Sequence, residues 1–77
     1  MSEPREDGAP FAVVWFDPDG YWTREAGGLD AETAVHLARD LTLRPAAELG
    51  MIARVIITDS DDCTCFEWRR GLGVTFK

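Results

Sequence analysis

Seventy-seven residues hold one domain and exclude two, and a content of 45% apolar and 10% aromatic residues excludes a disordered chain. Fourteen acids against eight bases give a net charge of -6, which argues against sustained contact with a phosphate backbone, because that affinity comes from clustered Lys and Arg. The one Lys is Lys77 and the Arg are scattered among acids, so no direct nucleic-acid partner is expected; the charge favours a basic protein partner or plain solubility.

Residues 1–10, polar and containing Pro4 and Pro10, read as a flexible N-terminal tail, leaving 11–77 as the domain. Phe11 to Phe16 is apolar throughout and predicts a strand covered on both faces, one by a helix and the other by neighbouring aromatics or a partner. Asp17-Pro18-Asp19-Gly20 is a turn: proline presets the first dihedral, Asp bonds back to the backbone and Gly accepts positive φ. Tyr21 to Glu25 alternates as a returning strand, and Gly27-Gly28 is expected to break it.

A helix is predicted from Asp30, which can cap the first turn, with Glu32 where the helix dipole favours negative charge. Ala34, Val35, Ala38 and Leu41 follow helical spacing, flanked by Leu37. Pro45 predicts the helix end, because it drives Arg44 out of helical geometry, and 45–49 can form one further turn stopped by Gly50. Ile52 to Thr58 predicts a strand with Ala53, Val55 and Ile57 facing the core and Arg54 facing water or a partner. The acidic loop Asp59–Asp62 leads to a strand in which Thr64, Phe66 and Trp68 alternate with Cys65, Glu67 and Arg69. After a turn over Arg70–Gly73, Val74-Thr75-Phe76 closes the sheet. The fold class expected is α+β: an antiparallel sheet in the order β-β-α-β-β-β with one helix on one face.

Catalytic chemistry finds little support. His36, the sole histidine, sits in mid-helix, and an exposed helix residue is the ordinary reading over a triad member. Cys63 and Cys65 are expected on the same face of a strand, as small strand residues rather than metal ligands, because zinc sites usually draw on two separated ligand pairs. Counted from Asp59, a calcium loop would need Gly at its sixth position and Glu at its twelfth, where Thr64 and Arg70 stand. Gly71-Leu72-Gly73 lacks the further glycine and following helix of a phosphate loop. No enzyme activity, cofactor or metal is therefore expected. Two cysteines do not make a secreted disulfide scaffold, and no apolar run is long enough to span a membrane, so a cytoplasmic setting is the expectation.

The topology predicts a lopsided charge distribution. Glu25, Asp30, Glu32 and the loop acids Asp59, Asp61 and Asp62 are expected at one pole, with Asp17, Asp19, Glu48, Arg44, Arg69 and Arg70 at the other. Turns, caps and the helix dipole account for Asp30 and Glu32 and for part of the loop. A binding role would turn the remaining carboxylates toward an Arg/Lys surface, steering encounter and setting specificity.

By its size, acidity, Arg-over-Lys and Ala-rich usage, the chain resembles the small phage-encoded anti-CRISPR proteins that act on type I systems of GC-rich, rhodobacter-like bacteria. Val55-Ile56-Ile57-Thr58-Asp59, Cys65-Phe66-Glu67-Trp68 and Gly73-Val74-Thr75-Phe76 also resemble segments of small alphaproteobacterial proteins, and the likeness spans 11–76 without residue-by-residue correspondence. The resemblance implies an inhibitor in the bacterial host's cytoplasm that seats on a basic backbone subunit of the Cascade surveillance complex and blocks target DNA binding. Its contact set would be Asp59, Asp61 and Asp62, helped by Glu25, Asp30, Glu32 and Glu67, with Trp15, Trp22 or Tyr21 as an apolar anchor. Core packing is the expected role for at least two of those three aromatics. The alternatives are a homodimeric structural domain using the second face of strand 11–16, and a small antitoxin-like partner of a basic protein.

Overall fold

A computed structural model describes residues 10–76, so the expected tail, Pro10 apart, lies outside the described residues. Five strands and two helices follow one another as β1 (Phe11–Phe16), β2 (Trp22–Leu29), α1 (Ala31–Leu43), α2 (Pro45–Glu48), β3 (Arg54–Thr58), β4 (Thr64–Arg69) and β5 (Gly73–Phe76). All pairings are antiparallel and the sheet order is β2-β1-β3-β4-β5. The α+β class and the β-β-α-β-β-β order expected from the sequence are those of the structure. α1 carries the chain over one sheet face from β2 to β3, so β1 lies between two strands that run parallel to each other.

Local chemistry explains the element boundaries. The Asp17 side chain accepts from the backbone N–H of Asp19 (2.9 Å) and Tyr21 (3.0 Å), and Gly20 takes φ 92° to close the turn. Asp30 caps α1 by accepting from the Thr33 N–H at 2.8 Å. Arg44, ahead of Pro45, is extended at φ -72°, ψ 153°, which ends α1 and lets Pro45 open the single turn of α2.

The core lies between α1 and one sheet face. Ala34, Ala38 and Leu41, at successive helical repeats, meet Val13, Val55 and Ile57, all buried. The two alanines let the helix backbone approach the sheet, while Leu41 fills the space between them and Ile52. Each large apolar side chain buried here contributes about 1.5–3 kcal/mol relative to exposure. Phe11, Trp15, Phe66 and Trp68 extend the same layer toward its margins.

Three expectations need correction. Gly27-Gly28 does not break β2; it sits inside the strand, where the register with β1 shifts twice between Phe11 and Val14. One shift leaves Glu25 as the extra residue and the other spans the two glycines. Gly28 takes φ 65°, which a side chain would resist, so the glycines bulge the strand rather than end it. Cys63 and Cys65 do not share a strand face: Cys63 precedes β4 and is exposed, while Cys65 falls at a register shift beside Ile57. The third concerns the aromatics. Tyr21 and Trp22 are 76% and 65% exposed, leaving Trp15 as the one of the three that packs against the core. β2 is an edge strand, so its outer side chains have neighbours on one flank alone.

Candidate functional site

Among the described residues, no helix lies over the second face of the sheet. Its central row is Ala12, Val14 and Phe16 of β1, flanked by Arg54, Ile56 and Thr58 of β3 and by Trp22 and Arg24 of β2, as the register dictates. Period-two alternation makes this unavoidable. Placing Val13, Val55 and Ile57 in the core sends their neighbours to the other side. These residues, Arg54 apart, floor a trough of about 610 Å³ whose far wall is Asp59, Ser60 and Asp62 of the β3–β4 loop. The trough is therefore graded: Phe16 and Trp22 at the turn end, aliphatic residues with Arg24 beside Val14 in the middle, and carboxylates at the loop end.

Arg54 holds the turn end together. Its guanidinium carbon lies 4.7 Å from the centroid of the Phe16 ring, and its Nε donates to Glu67 Oε2. Arg69 Nε donates to the same oxygen at 2.9 Å. Partial burial pushes the Glu67 carboxyl up, but the hydrogen bonds and charges of Arg54 and Arg69 outweigh it and hold the group below its ordinary value.

The loop end is organised by Asp59. Its Oδ1 accepts from the backbone N–H of Asp61 (2.9 Å) and Cys63 (3.1 Å), while its own N–H donates to the Cys63 carbonyl at 3.0 Å. Asp62 completes the loop at φ 61°, a conformation that Asp tolerates better than most residues. Asp61 and Asp62 are exposed. Cys65 stands behind this loop, its Sγ 3.4 Å from the Ile57 carbonyl, and burial pushes its thiol up with help from the Asp59 charge.

The seven acids singled out from the sequence fall into two groups. Asp30, Glu32, Asp59, Asp61 and Asp62 do share one end of the molecule: Leu29 pairs with Phe11 and Thr58 with Ala12, so the α1 start and the β3–β4 loop emerge side by side, roughly two strand spacings or 10 Å apart. Asp30 is engaged as the α1 cap, and the Thr33 backbone N–H, then its side chain, hold its carboxyl below the ordinary value. Glu25 is not at that end. Because β2 continues to Leu29, Glu25 lies in mid-strand on the helix side, where it accepts from Trp15 Nε1 at 3.0 Å and lies 3.6 Å from Arg44. Glu67 is likewise in mid-sheet, held by two arginines. Sequence reasoning placed Arg54 on the row away from the core and gave strand 11–16 a second face open to a partner, but it left Arg24 out of this surface; the apolar run over 11–16 was the signal for its central row.

A second concavity of about 540 Å³ lies on the helix side, between Trp15, Leu41, Leu49 and Met51, with the Glu25–Arg44 pair at its rim. His36 is exposed on α1. Among the described residues no three His, Cys, Asp or Glu side chains gather as a metal site, and no described helix is long and apolar enough to cross a membrane. Comparison with known proteins finds no matching family model, curated protein or solved structure.

Proposed function

We propose that the chain is a non-enzymatic binding protein that seats a basic protein surface in the trough of its open sheet face. The observation that carries this reading is the grading of the trough, from Phe16 and Trp22 at one end to Asp59 and Asp62 at the other. A partner segment with an apolar residue beside Lys or Arg matches that order. Trp22 supplies the kind of exposed aromatic that anchors interfaces, and the loop carboxylates set orientation and on-rate. Asp61 and Asp62 stand free of the loop's own side-chain caps, so they are the carboxylates most available to meet cations.

The resemblance to type I anti-CRISPR inhibitors makes a Cascade backbone subunit the first target to test. A groove lined with Lys and Arg that holds DNA would accept these carboxylates in place of phosphates, and a chain seated there excludes the nucleic acid by competition. The test is capture of an assembled type I complex by the tagged chain, by its Asp61→Asn, Asp62→Asn double variant and by Trp22→Ala. Asp59 is left alone because its side chain builds the loop. Capture by the parent chain, lost in both variants and weakened by salt, is the expected result. Equal capture by all three rejects the trough as the site. No capture by any rejects the target.

A further inference from the structure

We infer that the chain pairs with a second copy of itself along the outer edge of β2, with the two-fold axis through Thr23. β2 has β1 on one side and nothing described on the other. Tyr21, Trp22, Thr23, Arg24 and Glu25, five successive residues, are all exposed.

Backbone polarity fixes which of them can pair outward. The Tyr21 carbonyl accepts from the Asp17 N–H at 2.9 Å, so Tyr21 points its hydrogen-bonding groups toward β1. Antiparallel ladders alternate, and the register sets Trp15 opposite Thr23. Thr23 therefore also turns inward, while Trp22 and Arg24 present their N–H and C=O groups to the outside. Two copies related by a two-fold axis through Thr23 set Trp22 opposite Arg24 of the second copy and Arg24 opposite its Trp22. Those are the two positions whose backbone groups are free to exchange hydrogen bonds.

The side chains agree with the same register. On the open face, each Trp22 comes opposite the other copy's Arg24, whose guanidinium swings from its place over Gly27 onto the ring, a cation–π pair repeated by symmetry. On the helix side, Tyr21 comes opposite Glu25 of the second copy, and the two Thr23 face each other at the axis. Moving the axis by one residue keeps outward groups opposite each other but sets Arg24 against Arg24, or Trp22 against Trp22 with Arg24 opposite Gly20, and the cation–π pairs are lost. Charged residues usually blunt an exposed sheet edge. Here Arg24 finds a complementary ring, while Glu25 is held within its own chain by Trp15 and Arg44, so the edge charge that selects the pairing is Arg24.

The product is a continuous ten-stranded sheet with both open faces on one side. The two β3 strands stand five strand spacings apart, roughly 24 Å, which sets the distance between the two troughs. This inference stands on edge geometry and does not depend on the partner proposed above. The paired segment is short, so the interface belongs to the weak class.

Sedimentation equilibrium across a wide concentration range tests it, with amide hydrogen exchange on the same samples. The parent chain should rise from 8.6 kDa toward twice that mass, and the Trp22 and Arg24 amides should gain protection as it does. Arg24→Pro removes an outward N–H without touching the β1 ladder, and it should stay monomeric with an unchanged unfolding midpoint. Arg24→Glu keeps the backbone donor and loses the cation, so it should associate about tenfold more weakly than the parent. A parent chain that stays at monomer mass throughout overturns the inference, as does association of Arg24→Pro at the parent's strength.

Discussion

The guanidinium of Arg54 sits over the ring of Phe16, 4.7 Å from its centroid, on the sheet face opposite α1. The same group donates to Glu67, and so links the β1 aromatic to a β4 carboxylate across β3. Arg54→Met keeps the apolar stem but loses the cation and leaves Glu67 with Arg69 alone. The expected cost is about 1–2 kcal/mol, reduced from a fully buried pair because Arg54 is partly solvated. Urea unfolding of the variant measures it, and an unchanged midpoint would show that the ring contact and the ion pair contribute nothing.

Glu67 gives the fold an acid-sensitive component. Its folded-state carboxyl lies below the ordinary value of 4.5, so its contribution is fully present above that value and is lost as pH falls through the lower folded-state value. Stability should decline on acidification below pH 4.5, and Glu67→Gln should flatten that decline while costing stability at neutral pH. Thermal unfolding across the acid range, compared between parent and variant, reads both effects.

Leu41 is the largest side chain with no solvent exposure, and it joins the helix to both Val13 and Val55. Leu41→Ala should cost roughly 2–5 kcal/mol through lost burial and the cavity left behind. Enlarging the close-contact position is also costly: Ala38→Leu forces the helix off the sheet for about 1–3 kcal/mol. Chemical unfolding separates these variants from exposed α1 controls such as His36→Ala, which should change the midpoint little.

The two adjacent glycines of β2 should respond differently. Gly28 has open space around it but φ 65°, so Gly28→Ala costs about 1–2 kcal/mol in backbone strain. Gly27 lies under the Arg24 guanidinium, and a methyl there displaces the flexible end of that side chain rather than any backbone. Gly27→Ala should therefore leave stability nearly unchanged while shifting the resonances of Arg24. Equal losses at both positions would mean that the bulge geometry is different from that described.

Asp62 offers a similar separation of backbone from charge. At φ 61° it occupies the left-handed region, where Asn is accommodated and branched residues are not. Asp62→Asn should keep the loop and the melting temperature, whereas Asp62→Val should destabilise by about 1–2 kcal/mol. Any binding lost in Asp62→Asn is then a loss of charge, not of shape.

Much of the architecture was legible because local chemistry set it. Asp17 through Gly20, Asp30 and Pro45 each act within a few residues, and each marks the boundary that its chemistry dictates. The helix face was legible for Ala34, Ala38 and Leu41, although Val35 proves 40% exposed. What failed depended on neighbours distant in sequence. Gly27-Gly28 reads as a break until β1 is known to pair through it, and that reading puts Glu25 at the wrong end. Tyr21 and Trp22 read as core until β2 is known to lie at the sheet edge. Glu67 reads as a free carboxylate until Arg54 is placed across from it. Pairing partners fix all four, and a single chain read in order does not announce them.

The unlike settings of the two indoles of β1 and β2 give the molecule a built-in optical readout. Trp15 is half-buried with its ring nitrogen tied to Glu25, whereas Trp22 faces water beside the trough. An indole in water emits at longer wavelength and is quenched by dissolved acrylamide; a covered one is neither. Any molecule that settles on the open face or along the β2 edge must therefore shift the emission of Trp22 toward the blue, so binding can be followed in unlabelled protein.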